Sequence, residues 1–162
     1  MTDYQKKLVL QFINVMQQKN LSCGFAESCT GGLLSSWITQ FSGVSQCFIG
    51  SVVSYSNAVK QEVLQVSRST LDNHGAVSAA TAKEMLAGVH QLLRVDVAAA
   101  ITGIAGPSGG TFEKPVGLVF VAIGGPGFES IKQLQLIGDR LNIQSQSCES
   151  ALEMMLEFLL KN

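Results

Sequence analysis

The run at residues 95–101, Val-Asp-Val-Ala-Ala-Ala-Ile, constrains the fold of this chain more than any other feature. Apart from Asp96 the run is apolar, so neither of its faces is marked for contact with water. A short apolar run of this kind is typical of a β-strand that is buried on both faces. Such a strand requires helices on both sides of its sheet, which indicates an α/β domain.

Helices and strands alternate along the rest of the chain and end in a hairpin. We predict further strands at 22–26, 48–55, 116–123 and 130–137, with a turn at 124–127. Helices are predicted at the N-terminus, at about 30–41, from about Asn57, after the N-cap Ser78, and at the C-terminus. The last strand alternates polar and apolar residues, which is typical of a half-exposed antiparallel strand. The prediction is one three-layer α/β/α domain over residues 1–162, with a mixed central sheet.

Three of these helices carry apolar stripes at helical spacing. The residues predicted to be buried are Leu8, Val9, Phe12, Ile13 and Met16 in the first; Met85, Leu86, Val89, Leu92 and Leu93 in the helix after Ser78; and Leu152, Met155, Leu156, Leu159 and Leu160 in the last.

The charge pattern and composition exclude several classes of partner. The net charge is -1 and no basic run occurs, so nucleic acid is not an expected partner. No apolar stretch approaches the ~20 residues of a membrane helix, and the N-terminus lacks the features of a signal peptide. We therefore expect a cytoplasmic protein. Only 14% of the residues are charged, which favours a homodimer or higher homo-oligomer that covers part of the surface.

Cysteine and histidine are scarce. The four cysteines, at 23, 29, 47 and 148, have neither zinc-site nor redox spacing, so we expect reduced, buried thiols and no metal. Only His74 and His90 are present, which leaves little material for a Ser-His-Asp triad or a His-rich metal site.

The turn after the first predicted strand is the strongest candidate for chemistry. Ser28 lies there in the segment Ala-Glu-Ser-Cys-Thr-Gly-Gly, just before a helix. Backbone N–H groups at a helix start stabilise a bound anion or a developing oxyanion. Ser28 therefore suits either a nucleophile or a phosphate cradle, and it also suits a simple helix N-cap.

Two more polar clusters follow apolar strands, at residues 54–60 and 102–110. Ligands of open α/β sheets bind beyond the carboxyl ends of the strands, so parallel strands would bring all three clusters into one crevice. The glycine-rich loop 103–110 either holds phosphate through its amides or only turns the chain.

With histidine scarce, a lysine is the alternative base for a serine nucleophile, provided that it is neutral. Lys60 and Tyr55 give a coherent Ser28–Tyr55–Lys60 arrangement, although a solvated Lys60 is the simpler interpretation. Cys29 is a second possible nucleophile, or a buried structural thiol. Glu27 is either a buried hydrogen-bonding partner or a substrate contact.

Five motifs together resemble the C-terminal domain family of the competence/damage-inducible protein CinA. They are AESCTGG at 26–32, VSYSN at 53–57 with Lys60, GAVS at 75–78, TGIAGP at 102–107 continuing to KPVG at 114–117, and GDR at 138–140. The resemblance covers the chain from about residue 5 to its end.

The resemblance implies nicotinamide-nucleotide amidase activity, which converts nicotinamide mononucleotide to nicotinate mononucleotide and ammonia in pyridine nucleotide salvage. It implies Ser28 as the nucleophile, with Tyr55 and Lys60 as partners and no cofactor. Longer members carry an N-terminal domain with a pyrophosphatase-type activity, which we expect to be absent here. The alternative is a non-catalytic nucleotide-binding or competence-related interaction module.

The predicted substrate contacts lie in the same motifs. Arg140 is the first candidate for the substrate phosphate and Lys114 the second. The oxyanion is assigned to amides near residues 30–32 or in the 102–106 loop. The predicted substrate-binding residues are Glu27, Thr30, Gly31, Gly32, Asn57, Thr102, Gly103 and Arg140.

Overall fold

The computed structural model describes residues 1–125 and 127–161 and contains five strands and six α-helices within them. The helices are α1 (Asp3–Gln18), α2 (Leu33–Thr39), α3 (Asn57–Glu62), α4 (Arg68–His74), α5 (Ala79–Leu93) and α6 (Arg140–Lys161). The strands are β1 (Cys23–Glu27), β2 (Phe48–Val53), β3 (Val97–Gly103), β4 (Leu118–Gly125) and β5 (Phe128–Gln135).

The strands form one mixed sheet in the order β2-β1-β3-β4-β5. β1 lies between β2 and β3 and is parallel to both, whereas β4 is antiparallel to β3 and to β5. The parallel part therefore presents the carboxyl ends of three strands at one edge, where ligands of such sheets bind.

Helices cover both faces of the sheet, and β3 shows why. Its alternate residues Val97, Ala99 and Ile101 pack into a core that includes residues of α1, α2 and α6. Ala98 and Ala100 face the opposite way, into a second core that includes residues of α5. These two alanines leave room for α5 to approach the sheet closely. The predicted three-layer α/β/α fold with a mixed sheet is confirmed.

Several details differ from the sequence prediction. α4 was not predicted, and α2 begins at Leu33 rather than near Thr30 because residues 30–32 form the turn that precedes it. Leu160 is 60% exposed and Leu92 is 50% exposed, so neither belongs to its buried stripe. Each residue turns a helical side chain by about 100°, which takes both leucines out of the packed face.

The predicted turn at 124–127 includes Pro126, which lies outside the described residues. Across residues 1–125 and 127–161, none of the helices combines the length and the apolar character needed to cross a membrane.

Candidate active site

Three chain segments meet beyond the carboxyl ends of β1, β2 and β3. Ser28 follows β1, Tyr55 and Lys60 follow β2, and Thr102 and Gly103 end β3. Together with the loop after β3 and the start of α6, they enclose a cavity of about 250 Å³. Its lining residues are Ser28, Cys29, Tyr55, Lys60, Ala76, Val77, Thr102, Gly103, Ile104, Ala105, Gly106, Ser108, Gly109 and Arg140.

The centre of the cavity is a serine–lysine pair. Lys60 Nζ donates a hydrogen bond to Ser28 Oγ at 3.0 Å and another to the Ser54 carbonyl at 2.6 Å. Lys60 is 1% exposed although it stands on the short helix α3, because its side chain points under the sheet edge rather than into solvent. The structure thus gives Lys60 the inward position that a base for Ser28 requires.

Burial lowers the pKa of Lys60 from its ordinary value of 10.5, and only a negative charge on the nearby Cys29 sulfur would oppose this shift. The described residues place no carboxylate within ion-pair distance of the ammonium. A buried lysine without a counter-ion favours the neutral amine, which can accept a proton from a hydroxyl.

The carboxylate of Glu27 organises the turn that carries Ser28. It accepts hydrogen bonds from the N–H groups of Gly32 and Leu34 at 3.1 Å and from the Thr30 hydroxyl at 2.8 Å. The N–H and the hydroxyl of Ser35 donate to its other oxygen. Glu27 is fully buried, and because it accepts the first N–H groups of α2 it caps this helix. The Ser28 hydroxyl is therefore not needed as a cap and is available to Lys60.

Tyr55 and Arg140 form the mouth of the cavity. Arg140 Nη2 donates to the Tyr55 hydroxyl at 2.9 Å, and Arg140 Nη1 donates to the Gly106 carbonyl at 2.8 Å. Both acceptors are neutral, and within the described part of the chain no carboxylate pairs with this guanidinium. A positive charge at the mouth that is held only by neutral groups is suited to an anionic ligand.

Cys29 lines the same cavity but is a poor nucleophile. Burial raises the pKa of its thiol to about 12, so little thiolate is present near neutral pH. Among the residues that the structure describes, no three His, Cys, Asp or Glu side chains come together as metal ligands.

The structure brings six of the predicted site residues into the cavity lining: Ser28, Tyr55, Lys60, Thr102, Gly103 and Arg140. The other five predicted residues do not line it: Glu27, Thr30, Gly31, Gly32 and Asn57. Of these, Glu27 ends β1 and holds the turn before α2 through its hydrogen bonds from Thr30 and Gly32, Gly31 lies in the same turn, and Asn57 is exposed at the start of α3.

Sequence reasoning missed the wall formed by Ala76 and Val77, which lie between α4 and α5. Thr102 contacts this wall rather than open space, because its hydroxyl donates to the Ala76 carbonyl at 2.7 Å. The motif at residues 75–78 was the signal that could have found it, but there we assigned only the helix cap Ser78.

Comparisons with a family model, with related sequences and with solved structures all indicate the same family. The family model described as the CinA C-terminal domain matches residues 5–159. A CinA-like protein of Syntrophomonas wolfei is 48% identical over 130 residues, which are 80% of this chain and 31% of that protein. The chain spans about a third of the length of the curated relatives it matches.

Two crystal structures are similar over nearly their whole length. The competence/damage inducible protein CihA from Agrobacterium tumefaciens is 35% identical, with a TM-score of 0.95, and the match covers 97% of this chain and 96% of that one. A competence-damaged protein (CinA) superfamily protein from Klebsiella pneumoniae is 31% identical, with a TM-score of 0.94 and coverage of 98% and 99%.

Proposed function

The chain belongs to the CinA C-terminal domain family, and from that premise we propose that it hydrolyses the carboxamide of nicotinamide mononucleotide. The products are nicotinate mononucleotide and ammonia. The observation that carries the proposal is the buried pair in which Lys60 Nζ lies 3.0 Å from Ser28 Oγ. Amide hydrolysis through an acyl-enzyme requires an activated hydroxyl, and a neutral lysine is one way to activate it.

In the first step Ser28 Oγ attacks the carboxamide carbon while Lys60 accepts its proton. The contact between the two atoms supports direct transfer. Tyr55 is bound to Arg140 instead, so we assign it to holding Arg140 rather than to relaying the proton. The protonated Lys60 then donates to the leaving nitrogen, and ammonia departs.

In the second step water attacks the acyl-enzyme and releases the carboxylate. Lys60, neutral again after ammonia has left, accepts a proton from that water, and Ser28 recovers its own proton. The mechanism thus uses one group as base and acid in turn. It needs no metal and no cofactor.

The backbone N–H groups that stabilise the oxyanion can be assigned more narrowly from the structure than from the sequence. Gly31 N–H donates to the Ser28 carbonyl at 3.0 Å, and those of Gly32 and Leu34 donate to Glu27. Within residues 1–125 and 127–161, the Thr30 N–H has no acceptor, and the Cys29 N–H contacts only the sulfur of its own side chain. We propose that these two amides, directly after Ser28, stabilise the oxyanion.

Arg140 is the proposed ligand of the substrate phosphate. Its guanidinium stands at the mouth of the cavity, and a planar fork of N–H donors matches phosphate oxygens. The reacting carboxamide would then lie deeper, beside Ser28. Pyridine nucleotide salvage, a cytoplasmic location and homo-oligomeric assembly remain predictions from the sequence.

The deciding experiment measures ammonia release from nicotinamide mononucleotide, with nicotinamide and nicotinamide riboside as comparison substrates. We expect Ser28→Ala to reduce turnover at least ~1000-fold, since the nucleophile is lost. Ser36→Ala is the matched control, because Ser36 is exposed on α2. Binding of the nucleotide without any turnover by the wild-type protein would favour the non-catalytic module instead.

A further inference from the structure

Lys114 ties together two chain segments that wall the cavity, although it does not line the cavity itself. Its Nζ donates to the His74 carbonyl at 2.6 Å and to the Val77 carbonyl at 2.8 Å. His74 ends α4, where free carbonyls and the helix dipole favour a cation. The ammonium therefore spends two of its three N–H donors on backbone oxygens of residues 74–77.

The two carbonyls between these are also held by side chains. The Thr81 hydroxyl donates to the Gly75 carbonyl at 2.7 Å, and the Thr102 hydroxyl donates to the Ala76 carbonyl at 2.7 Å. Residues 75–78 belong to neither a helix nor a strand. Because no helix or sheet hydrogen bonds fix residues 75–78, side-chain hydrogen bonds from other parts of the chain determine where these residues lie.

Lys114 connects that wall to the loop 104–117. The loop supplies five lining residues: Ile104, Ala105, Gly106, Ser108 and Gly109. Within the loop, Thr111 N–H donates to the Lys114 carbonyl at 2.8 Å, and Lys114 N–H donates to Thr111 Oγ1 at 3.0 Å. The backbone of Lys114 is thus fixed in the 104–117 loop, while its ammonium is bound to residues 74–77.

Gly75 lies close to the Lys114 ammonium. This glycine has φ +75, and a Cβ added there would lie 3.1 Å from Lys114 Nζ. That separation is tighter than ordinary van der Waals contact, and the positive φ is itself unfavourable for other residues. Glycine suits position 75 because it tolerates the positive φ and because its missing side chain leaves space for the Lys114 ammonium.

We propose that Lys114 is a positioning residue that sets the width of the cavity by holding the 74–77 wall against the 104–117 loop. The proposal replaces the sequence hypothesis of Lys114 as a phosphate ligand. The identity of the substrate rests on the proposed function. The connection that Lys114 makes between residues 74–77 and the 104–117 loop does not depend on it. Loss of the ammonium should widen the cavity and weaken binding of the whole nucleotide.

The test compares Lys114→Met with Lys83→Met, a lysine that pairs with Glu129 at 3.0 Å outside the cavity. For Lys114→Met we expect KM to rise about tenfold for both nicotinamide mononucleotide and nicotinamide riboside, while kcat changes less than about threefold. Amide hydrogen exchange of residues 74–78 and 104–111 should become about tenfold faster. Lys114→Arg should restore part of both effects, and Lys83→Met should show neither.

The outcomes separate the inference from the proposed function. A rise in KM confined to the phosphorylated substrate would make Lys114 a direct phosphate ligand and overturn the proposal. Unchanged exchange in residues 74–78 would overturn it as well. If the wild-type protein shows no amidase activity, the proposed function fails, and faster exchange in Lys114→Met still supports the positioning role. Should Lys114→Met not fold, Lys114→Gln, which keeps one donor group, is measured in the same way.

Discussion

Lys60 occupies a position that is unfavourable for a charged side chain, because it is only 1% exposed. A buried ammonium without a carboxylate partner is unfavourable, and burial lowers the pKa of this side chain for that reason. Its two acceptors, the Ser28 hydroxyl and the Ser54 carbonyl, are both neutral. A protein that needed only to fold would not place a lysine here, which favours a catalytic role.

The activity of Lys60 variants tests this role. Arginine keeps a positive charge but effectively cannot deprotonate, so Lys60→Arg should lose at least ~100-fold in kcat. In the wild-type protein, activity should fall as the pH drops through the folded pKa of Lys60, which lies below 10.5. Steady-state rates from pH 5 to 10 check both points. Substantial activity in Lys60→Arg would make the lysine an electrostatic anchor and require another base.

The stability of Lys60→Met gives an independent check. The folded pKa is below the unfolded value, so between the two the unfolded chain binds more protons and wild-type stability increases with pH. Methionine keeps an unbranched side chain and removes this dependence. We expect Lys60→Met to be inactive yet more stable than wild type at pH 7, with a difference that shrinks towards pH 10. Urea unfolding at both pH values measures it, and a stability difference between variant and wild type that stays the same from pH 7 to pH 10 would contradict a depressed pKa.

Residue types and spacing only suggested the serine–lysine pair, and the family resemblance then singled it out. Neither indicated the contacts around it. Tyr55 and Arg140 are 85 positions apart, and Lys114 lies 37 positions from Val77. Only the packing of α6 and of the 104–117 loop against the sheet brings these groups together. A single sequence carries no local signal for such pairs. From the sequence, Tyr55 is therefore assigned as a partner of Ser28 and Lys60, and Lys114 is the second candidate, after Arg140, for the substrate phosphate.

At the scale of elements, the short helix α2 depends on a side chain outside it. Its N-cap, Gly32, has no side chain to cap the helix, and the fully buried Glu27 at the end of β1 accepts the free N–H groups instead. The turn that carries Ser28 is thereby joined to both β1 and α2. Strand and helix patterns predicted both elements, whereas the cap came from a residue that the pattern left with two interpretations.

Glu27→Gln removes the charge but little volume. An amide cannot accept all the hydrogen bonds that the carboxylate accepts, so we expect a loss of about 2 kcal/mol in the free energy of unfolding. Turnover should also fall, because the Ser28 turn loses its anchor. Urea denaturation with activity measured in parallel tests this, and Glu62→Gln, at an exposed position on α3, is the control. Wild-type stability with lost activity would instead support a direct substrate contact for Glu27.

At the scale of the molecule, helices cover both faces of the sheet. The polar site residues therefore lie at its edge, beyond the carboxyl ends of β1, β2 and β3. The apolar strand β3 predicted this architecture well, because a strand buried on both sides admits few arrangements. Element boundaries moved by one to three residues. The same burial that positions Ser28 and Lys60 encloses every cysteine of the chain.

The cysteines therefore report on the integrity of the whole fold. Cys23, Cys29, Cys47 and Cys148 are all free and buried, and burial raises the pKa of Cys29 and Cys148. The hydrogen bond with Cys23 lowers the pKa of Cys47 to about 7, but that thiol is enclosed as well. A neutral thiol reagent should label Cys23, Cys47 and Cys148 at least ~1000-fold more slowly in the native protein than in the urea-unfolded chain, because labelling of these three thiols needs global opening. Cys29 lines the cavity and is left out of this comparison. Mass spectrometry of timed samples follows each site, with the urea-unfolded protein as the control. Rapid stoichiometric labelling of Cys23, Cys47 or Cys148 in the native protein would show that its part of the core opens separately.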